Sequence, residues 1–104
     1  MFRYEGDFRD GKQEGTGVYY FANGAIYEGE FFDDLFHGKG KTKLPSGETF
    51  EGNFTEGRKN GYGELKKANG DTYVGEFQND TFHGKGKYTW VTQFLQFQEL
   101  TKHF

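Results

Sequence analysis

The glycines constrain the fold of this chain more than any other residue type, because all 17 fall on one lattice with a period of 23 residues. Gly6, Gly29, Gly52 and Gly75 mark its first position. The same spacing holds for two further glycines in each unit, which are Gly15/Gly17, Gly38/Gly40, Gly61/Gly63 and Gly84/Gly86. A fixed period of this length is typical of repeat architectures, so we predict an array of four short units.

Each unit contains two stretches in which residues alternate between two faces. The units begin at Tyr4, Tyr27, Phe50 and Tyr73. In unit two, residues 27–31 predict a short strand with Tyr27, Gly29 and Phe31 on one face. Residues 38–44 form a second alternating stretch. We therefore expect each unit to be a β-hairpin, and the four hairpins to extend one all-β, single-layer antiparallel sheet.

Two kinds of turn are expected in every unit. The eighth position is Gly11 or Gly57 in units one and three, and Asp34 or Asp80 in units two and four. These residue types adopt positive φ, which a tight reversal within the hairpin requires. The unit then ends in a second turn, at Asn-Gly or Ser-Gly, which leads to the next hairpin.

Aromatic side chains must supply most of the burial in such a sheet. The chain has 21 aromatic residues against ten Leu, Ile, Val and Met together, and each aromatic buries roughly 150–250 Å². The glycines on the same face leave room for a ring to lie flat across the neighbouring backbone, so alanine there would lift the ring. We call this the aromatic face. The opposite, charged face combines glutamates of the first strand with lysines of the second.

A weaker period of 46 residues is superimposed on the first. Units two and four share the motif Phe-His-Gly-Lys-Gly-Lys, beginning at Phe36 and Phe82. Units one and three have Gln13 and Lys59 in place of that phenylalanine. We infer two subclasses of unit.

The repeat pattern ends at Trp90, and residues 91–104 contain no glycine. Phe94, Phe97, Leu100 and Phe104 recur there at steps of three and four residues, which favours an amphipathic helix. The chain is thus expected to divide into an array over residues 1–90 and a helix over residues 91–104. We expect this helix to cap the array by folding over the aromatic face; the alternative is a helix left open for a partner.

Charge and composition exclude several classes of function. A net charge of −3 and a pI near 5.6 give no electrostatic surface for nucleic acid. Without cysteine the chain has neither disulfides nor thiolate metal sites. The first residues lack the apolar core of a signal peptide, so the expected location is the cytoplasm.

The sequence indicates no catalytic, cofactor or metal site. His37 and His83 are four strands apart in the expected sheet, on the order of 19 Å, so they cannot share one ion. The carboxylates recur once per unit, whereas catalysis needs one asymmetric constellation. We expect a non-catalytic protein without cofactors.

The pattern Tyr-x-Gly-x-Phe, then Gly-x-Gly, then Asn-Gly over residues 4–90 resembles the MORN repeat family. The resemblance implies a slightly twisted single-layer array of hairpins with an aromatic-lined groove. It also implies a scaffold or adaptor in a cytoskeletal, ciliary or axonemal assembly, which binds a segment of a larger protein. Thr42 and Lys67 depart from the usual unit, where an aromatic or other apolar residue is expected.

The candidate groove consists of the first-strand aromatics of the four units. They are Tyr4, Phe8, Tyr27, Phe31, Phe50, Phe54, Tyr73 and Phe77. In a single-layer sheet no second layer covers this face, and a large exposed apolar surface marks an interaction site. The alternative is that these rings serve only to hold the sheet together. We also expect the first strand to be an open edge that a partner or a second copy covers.

The charged face supports a second hypothesis, a peripheral membrane adaptor that binds acidic phospholipid. Its candidate residues form a lysine row, which consists of Lys39, Lys41, Lys43, Lys85 and Lys87. The alternative is a solvated face whose lysines pair with the neighbouring glutamates, each pair contributing about 0–1 kcal/mol.

Overall fold

In the computed structural model, which describes residues 2–91 and 97–104, nine antiparallel strands form one open sheet in the order of the sequence. The strands are β1 (Arg3–Arg9), β2 (Lys12–Tyr20), β3 (Ile26–Phe32), β4 (Leu35–Lys43), β5 (Thr49–Thr55), β6 (Arg58–Lys66), β7 (Thr72–Gln78), β8 (Thr81–Val91) and β9 (Phe97–His103). The predicted all-β array of hairpins is confirmed, since each of the four units contributes one pair of strands from β1 to β8.

A row of glycines runs across the sheet from β1 to β8. Each glycine is directly opposite the next, and the row consists of Gly6, Gly17, Gly29, Gly40, Gly52, Gly63, Gly75 and Gly86. Most positions in this row have no room for a side chain: a Cβ atom on Gly63 would lie 2.5 Å from two ring carbons of Phe50. The expectation that rings lie flat over glycine backbone is therefore confirmed.

The turn within each hairpin has two residues with positive φ. In units one and three they are Asp10-Gly11 and Glu56-Gly57, and in units two and four Asp33-Asp34 and Asn79-Asp80. Two consecutive residues of this conformation make a type I′ turn, whose twist matches that of the flanking strands. The predicted role of the eighth position is confirmed.

The strands bend so that the aromatic face becomes the inside of a trough. The register places Phe21 level with Leu44, eight residues along the strand from Phe36, which is about 26 Å in a straight strand. Yet the ring centroids of Phe21 and Phe36 are 5.9 Å apart. Side chains alone cannot bridge the difference, so the two ends of the strands curve toward each other over the glycine row.

The prediction of a C-terminal helix is wrong. Phe97–His103 form β9, which pairs antiparallel with β8, while Phe94 lies outside the described residues. The physical reason is that β8 presents a row of N–H and C=O groups that need partners, and a strand satisfies them where a helix could not. Alternation in β9 also places Leu100 beside Tyr88 on the aromatic face.

Candidate functional site

The eight first-strand aromatics form the floor of the trough. Six of them are buried, with at most 5% of each residue exposed: Tyr27, Phe31, Phe50, Phe54, Tyr73 and Phe77. Tyr4 is half-buried, and Phe8 is 62% exposed. The residues chosen from the sequence as a binding groove are thus mostly core residues of the array.

Edge-to-face contacts between these rings join successive units. Each unit's first aromatic contacts a phenylalanine of the next unit, and the pairs are Tyr4–Phe31, Tyr27–Phe54, Phe50–Phe77 and Tyr73–Phe104, with centroid distances of 4.9, 5.2, 5.0 and 5.5 Å. Phe104 on the aromatic side of β9 therefore takes the place that a fifth unit's phenylalanine would occupy. The floor is a continuous chain of rings from β1 to β9.

Three floor tyrosines also bond to the backbone. The hydroxyls of Tyr4, Tyr27 and Tyr73 donate to carbonyl oxygens of the residues three positions on, at 2.7, 2.7 and 2.8 Å. Burial raises the pKa of all three phenols, most strongly for Tyr27, and a nearby carboxylate raises it further. The phenols therefore remain neutral donors that fix the rings, and they do not act as acids or bases.

The wall of the trough explains the two subclasses of unit. Phe36 stacks on Tyr27 at a centroid distance of 3.8 Å, and Phe82 stacks on Tyr73 at 4.0 Å. In unit three the same place belongs to Lys59, whose Nζ lies 5.2 Å from the centroid of the Phe50 ring. Units two and four thus cover their first ring with a second ring, while unit three covers it with a cation.

A row of exposed side chains, which we call the rim, lies at the opposite edge of the trough. Its members recur every 23 residues at the ends of the second strands, and they are Phe21, Leu44, Lys67 and Trp90. Phe21, Leu44 and Trp90 are 36–37% exposed. Successive members are two strands apart, or roughly 10 Å at about 4.8 Å per strand. The rim is the apolar part of the trough that a partner can reach.

The sequence analysis did not choose the rim or wall residues as site residues. The signal was available, because the second alternating stretch of each unit puts them on the same face as its glycines and at the same period. What the pattern could not show is that the bend buries the first-strand rings and leaves the second-strand residues at the mouth of the trough.

On the charged face, the five residues of the lysine row are all exposed. Lys41 lies in register between Glu28 and Glu51, and its Nζ is 3.7 Å from a carboxylate oxygen of Glu51. Lys87 pairs with Glu99 at 3.1 Å. The largest depression on this face, about 630 Å³, has Lys39 and Lys41 in its lining beside Glu28, Glu51 and Glu64. Carboxylates thus outnumber lysines there.

The described residues contain no cluster of three or more His, Asp or Glu side chains arranged to hold a metal ion. His37 instead accepts a hydrogen bond at Nδ1 from the backbone N–H of Glu56, at 3.4 Å, which joins units two and three. Within residues 2–91 and 97–104 there is also no helix of the length and apolar character needed to cross a membrane.

A comparison with protein families gives four consecutive matches to the MORN repeat, over residues 4–26, 27–49, 50–72 and 73–93. The matches begin at Tyr4, Tyr27, Phe50 and Tyr73, in phase with the hairpins of the sheet. MORN repeats commonly take part in protein–protein or membrane–lipid interactions, and the family is a repeat scaffold that is not typically catalytic. Because the four matches span nearly the whole chain and coincide with its structural units, this protein belongs to the MORN repeat family.

Proposed function

We propose that this protein is a non-catalytic scaffold that binds a segment of a larger protein along the mouth of the trough. The observation that carries the proposal is the rim, where Phe21, Leu44 and Trp90 are exposed beside a floor of packed rings. Aromatic residues are enriched at protein interfaces, and contiguous apolar surface marks such sites. The eight floor residues serve this function by holding the wall and the rim in place.

The spacing of the rim suits a segment of regular structure. Roughly 10 Å between neighbours corresponds to seven residues of an α-helix at about 1.5 Å per residue, or to three residues of an extended strand at about 3.3 Å. A bound segment would therefore present an apolar side chain at every seventh or every third position. The resemblance to the MORN family supports a cytoskeletal or axonemal partner, and a location in the cytoplasm or a cilium.

The experiment is affinity capture of the tagged chain from its own cells, followed by reconstitution with the purified candidate partner. The test variant is Phe21→Ser with Leu44→Ser, which alters only exposed rim residues. Floor substitutions such as Phe31→Ala are unsuitable, because Phe31 is buried and its loss would destabilise the sheet.

The matched control is Phe32→Ser with Tyr62→Ser, which removes two residues that are more exposed and lie outside the trough. We expect the rim variant to lose the partner at least tenfold in affinity and the control to retain it. Loss of binding in the control with full binding by the rim variant would show that the trough is not the docking surface.

We propose peripheral membrane binding as the alternative, on the observation that all five residues of the lysine row are exposed. The neighbouring Glu28, Glu51 and Glu64 weaken it, because they repel anionic head groups. Flotation with phosphoinositide vesicles tests it best at low salt, where charges are least screened. If the protein stays with the unbound fraction there, this function is excluded.

The edge of β1 offers a separate contact. Among the described residues, β1 pairs only with β2, and Phe8 at this edge is 62% exposed. We propose that a partner strand or a second copy covers it. Light scattering over a range of micromolar concentrations tests self-association, and a constant monomer mass would exclude it.

A further inference from the structure

The trough contains a cavity of about 250 Å³ beside Thr42 in unit two. Apolar side chains form most of its lining, and they include Phe21, Phe36, Leu44 and Phe54. Lys59 and Asp80 complete one side. The carboxylate of Asp80 is already engaged, since its Oδ1 accepts a hydrogen bond at 2.8 Å from the backbone N–H of Lys59.

The cavity lies where other units have a larger side chain. The residues equivalent to Thr42 are Tyr19 in unit one, Leu65 in unit three and Tyr88 in unit four. Leu65 is 7% exposed and belongs to the core. Thr42 is the shortest of the four, so unit two has a vacant place where units one and four have a phenol ring.

The rings of units one and four show what the vacant place would contact. Tyr19 lies 4.7 Å from the ring of Phe21 in the rim and 6.0 Å from the ring of Phe36 in the wall of the next unit. One repeat later the corresponding neighbours are Leu44 and Lys59. A ring beside Thr42 would therefore pack on the apolar Leu44 and meet the ammonium group of Lys59.

We propose that one aromatic side chain of the partner segment occupies this cavity and supplies the ring that Thr42 lacks. The proposal rests on the proposed function, namely that a protein segment binds along the trough. The size fits one side chain: an apolar cavity of about 150 Å³ accommodates benzene, while sites for drug-sized ligands span about 300–1,000 Å³.

The chemistry of the cavity favours an aromatic over an aliphatic occupant. A lysine ammonium within about 6 Å of a ring face attracts the ring through its quadrupole, and Lys59 already makes this contact with Phe50. The opposite charges of Lys59 and Asp80 give the lining no net charge. A neutral aromatic side chain is thus the occupant that the cavity selects, and such buried aromatic anchors dominate the affinity of many interfaces.

A direct test uses p-cresol, the side-chain analogue of tyrosine, and its saturated counterpart 4-methylcyclohexanol. Both are titrated into the full chain, and binding is followed by NMR shifts of Ala25, Thr42 and Leu44, which line the cavity. We expect millimolar affinity for a ligand of this size, and p-cresol to bind about two- to fivefold more tightly because only it has a π face. Equal affinities, or shifts confined to other residues, would overturn the proposal.

Substitution of Thr42 gives the second arm. Thr42→Tyr restores the residue of units one and four and should fill the cavity, so p-cresol binding should fall at least tenfold while the protein remains folded. Thr42→Leu, which copies unit three, provides a milder variant with an intermediate loss. The matched control is Thr49→Tyr, the same change on the charged face opposite Lys43, and it should leave binding unchanged. Unchanged p-cresol affinity in Thr42→Tyr would show that the cavity is not the site.

The same variants separate this inference from the proposed function once a partner has been captured. If Phe21→Ser/Leu44→Ser loses the partner and Thr42→Tyr does not, the trough binds the segment but the cavity receives no anchor. If the rim variant retains the partner, the proposed function is wrong, whatever p-cresol does. Loss of the partner in both the rim variant and Thr42→Tyr, with Thr49→Tyr unaffected, is the result that the proposal requires.

Discussion

Glycine serves two physically different purposes in this chain. Gly63 has an extended backbone that any residue could adopt, but the ring of Phe50 occupies the space of a Cβ atom. Gly57 has open space around it but a φ of 85°, which most residues avoid. The first glycine is required by a packed ring and the second by a turn, so different substitutions should be tolerated at the two positions.

Gly63→Ala should destabilise the protein by about 1–3 kcal/mol, because the ring of buried Phe50 must move to admit the methyl group. Gly57→Asp should be close to neutral, since Asp34 and Asp80 adopt positive φ at the same repeat position. Urea unfolding of both variants measures the difference. A similar loss in the two variants would mean that the ring contact is not what excludes a side chain at Gly63.

Asp71 is a polar residue whose contacts belong to the last unit alone. Its Oδ1 accepts a hydrogen bond from the backbone N–H of Val91 at 3.1 Å, and its Oδ2 accepts one from the hydroxyl of Tyr88 at 2.8 Å. The Val91 N–H, and next the Tyr88 hydroxyl, lower the pKa of Asp71 below its ordinary 3.8. The ionised carboxylate therefore holds the end of β8.

Asp71→Asn should lower the melting temperature at neutral pH. A carboxyl group whose pKa is lowered on folding adds stability above its unfolded value, and this contribution disappears as pH falls through the folded value. The gap between the wild type and Asp71→Asn should therefore close as pH falls below about 3.8. Thermal unfolding as a function of pH measures this, with Glu48→Gln at the equivalent position as the control. A gap that stays constant into acid would contradict the assignment.

At the scale of secondary-structure elements, β9 completes the last unit. It pairs with β8 as each first strand pairs with the second strand before it, and the N–H of Gly84 donates to the carbonyl of Phe104 at 2.9 Å. The ring of Phe104 packs edge-on against Tyr73, 5.5 Å away. The element thus covers β8 with both backbone hydrogen bonds and a ring, which is the role expected of a cap in a repeat array.

Phe104→Ala should reduce stability by roughly 1–2 kcal/mol, because the edge contacts with Tyr73 and Phe82 are lost along with apolar burial. Amide exchange at Gly84 should accelerate more than exchange in β1 and β2. Thr101→Ala, in the same strand but on the charged face, should change stability by less than about 0.5 kcal/mol. If Gly84 exchange does not change in Phe104→Ala, β9 is not held by this ring.

At the scale of the whole molecule, the array is elongated, with principal extents of 51 × 27 × 15 Å. Each strand contacts its sequence neighbours, so no element packs across the array to share a common core. In such a molecule the free energy of unfolding is approximately a sum of unit and nearest-neighbour contributions. The same repeat position should therefore contribute differently at the centre and at an edge.

Phe8 and Phe54 test this dependence, because they hold the same repeat position but are 62% and 5% exposed. Phe54→Ala removes contacts to Tyr27 in the preceding unit and should cost about 3–5 kcal/mol. Phe8→Ala should cost less than about 1 kcal/mol, as surface substitutions do. Equal values from chemical denaturation would show that the array unfolds as one cooperative unit whose edge is as tightly held as its centre.

Much of the architecture could be predicted from local patterns. The period of the glycines defined the four units, alternation assigned the strands and their faces, and the residue types at the eighth position indicated positive φ. These features depend on contacts between residues close in sequence, which a periodic pattern records directly. The C-terminal strand could not be predicted in this way, because Phe97–His103 gain their hydrogen bonds from the free edge of β8, and apolar spacing carries no information about a neighbouring edge.

The sequence by itself determined which residues share the aromatic face, how the units are divided and why glycine recurs. Only the tertiary structure decided which of those residues a partner can reach. The bend of the strands brings Phe21 to within 5.9 Å of Phe36, measured between ring centroids; the first-strand rings are buried, while the rim and the cavity beside Thr42 remain accessible. Curvature is the sum of small deviations along every strand, so no single residue encodes it, and the accessible surface that follows from it emerges only when the whole sheet is assembled.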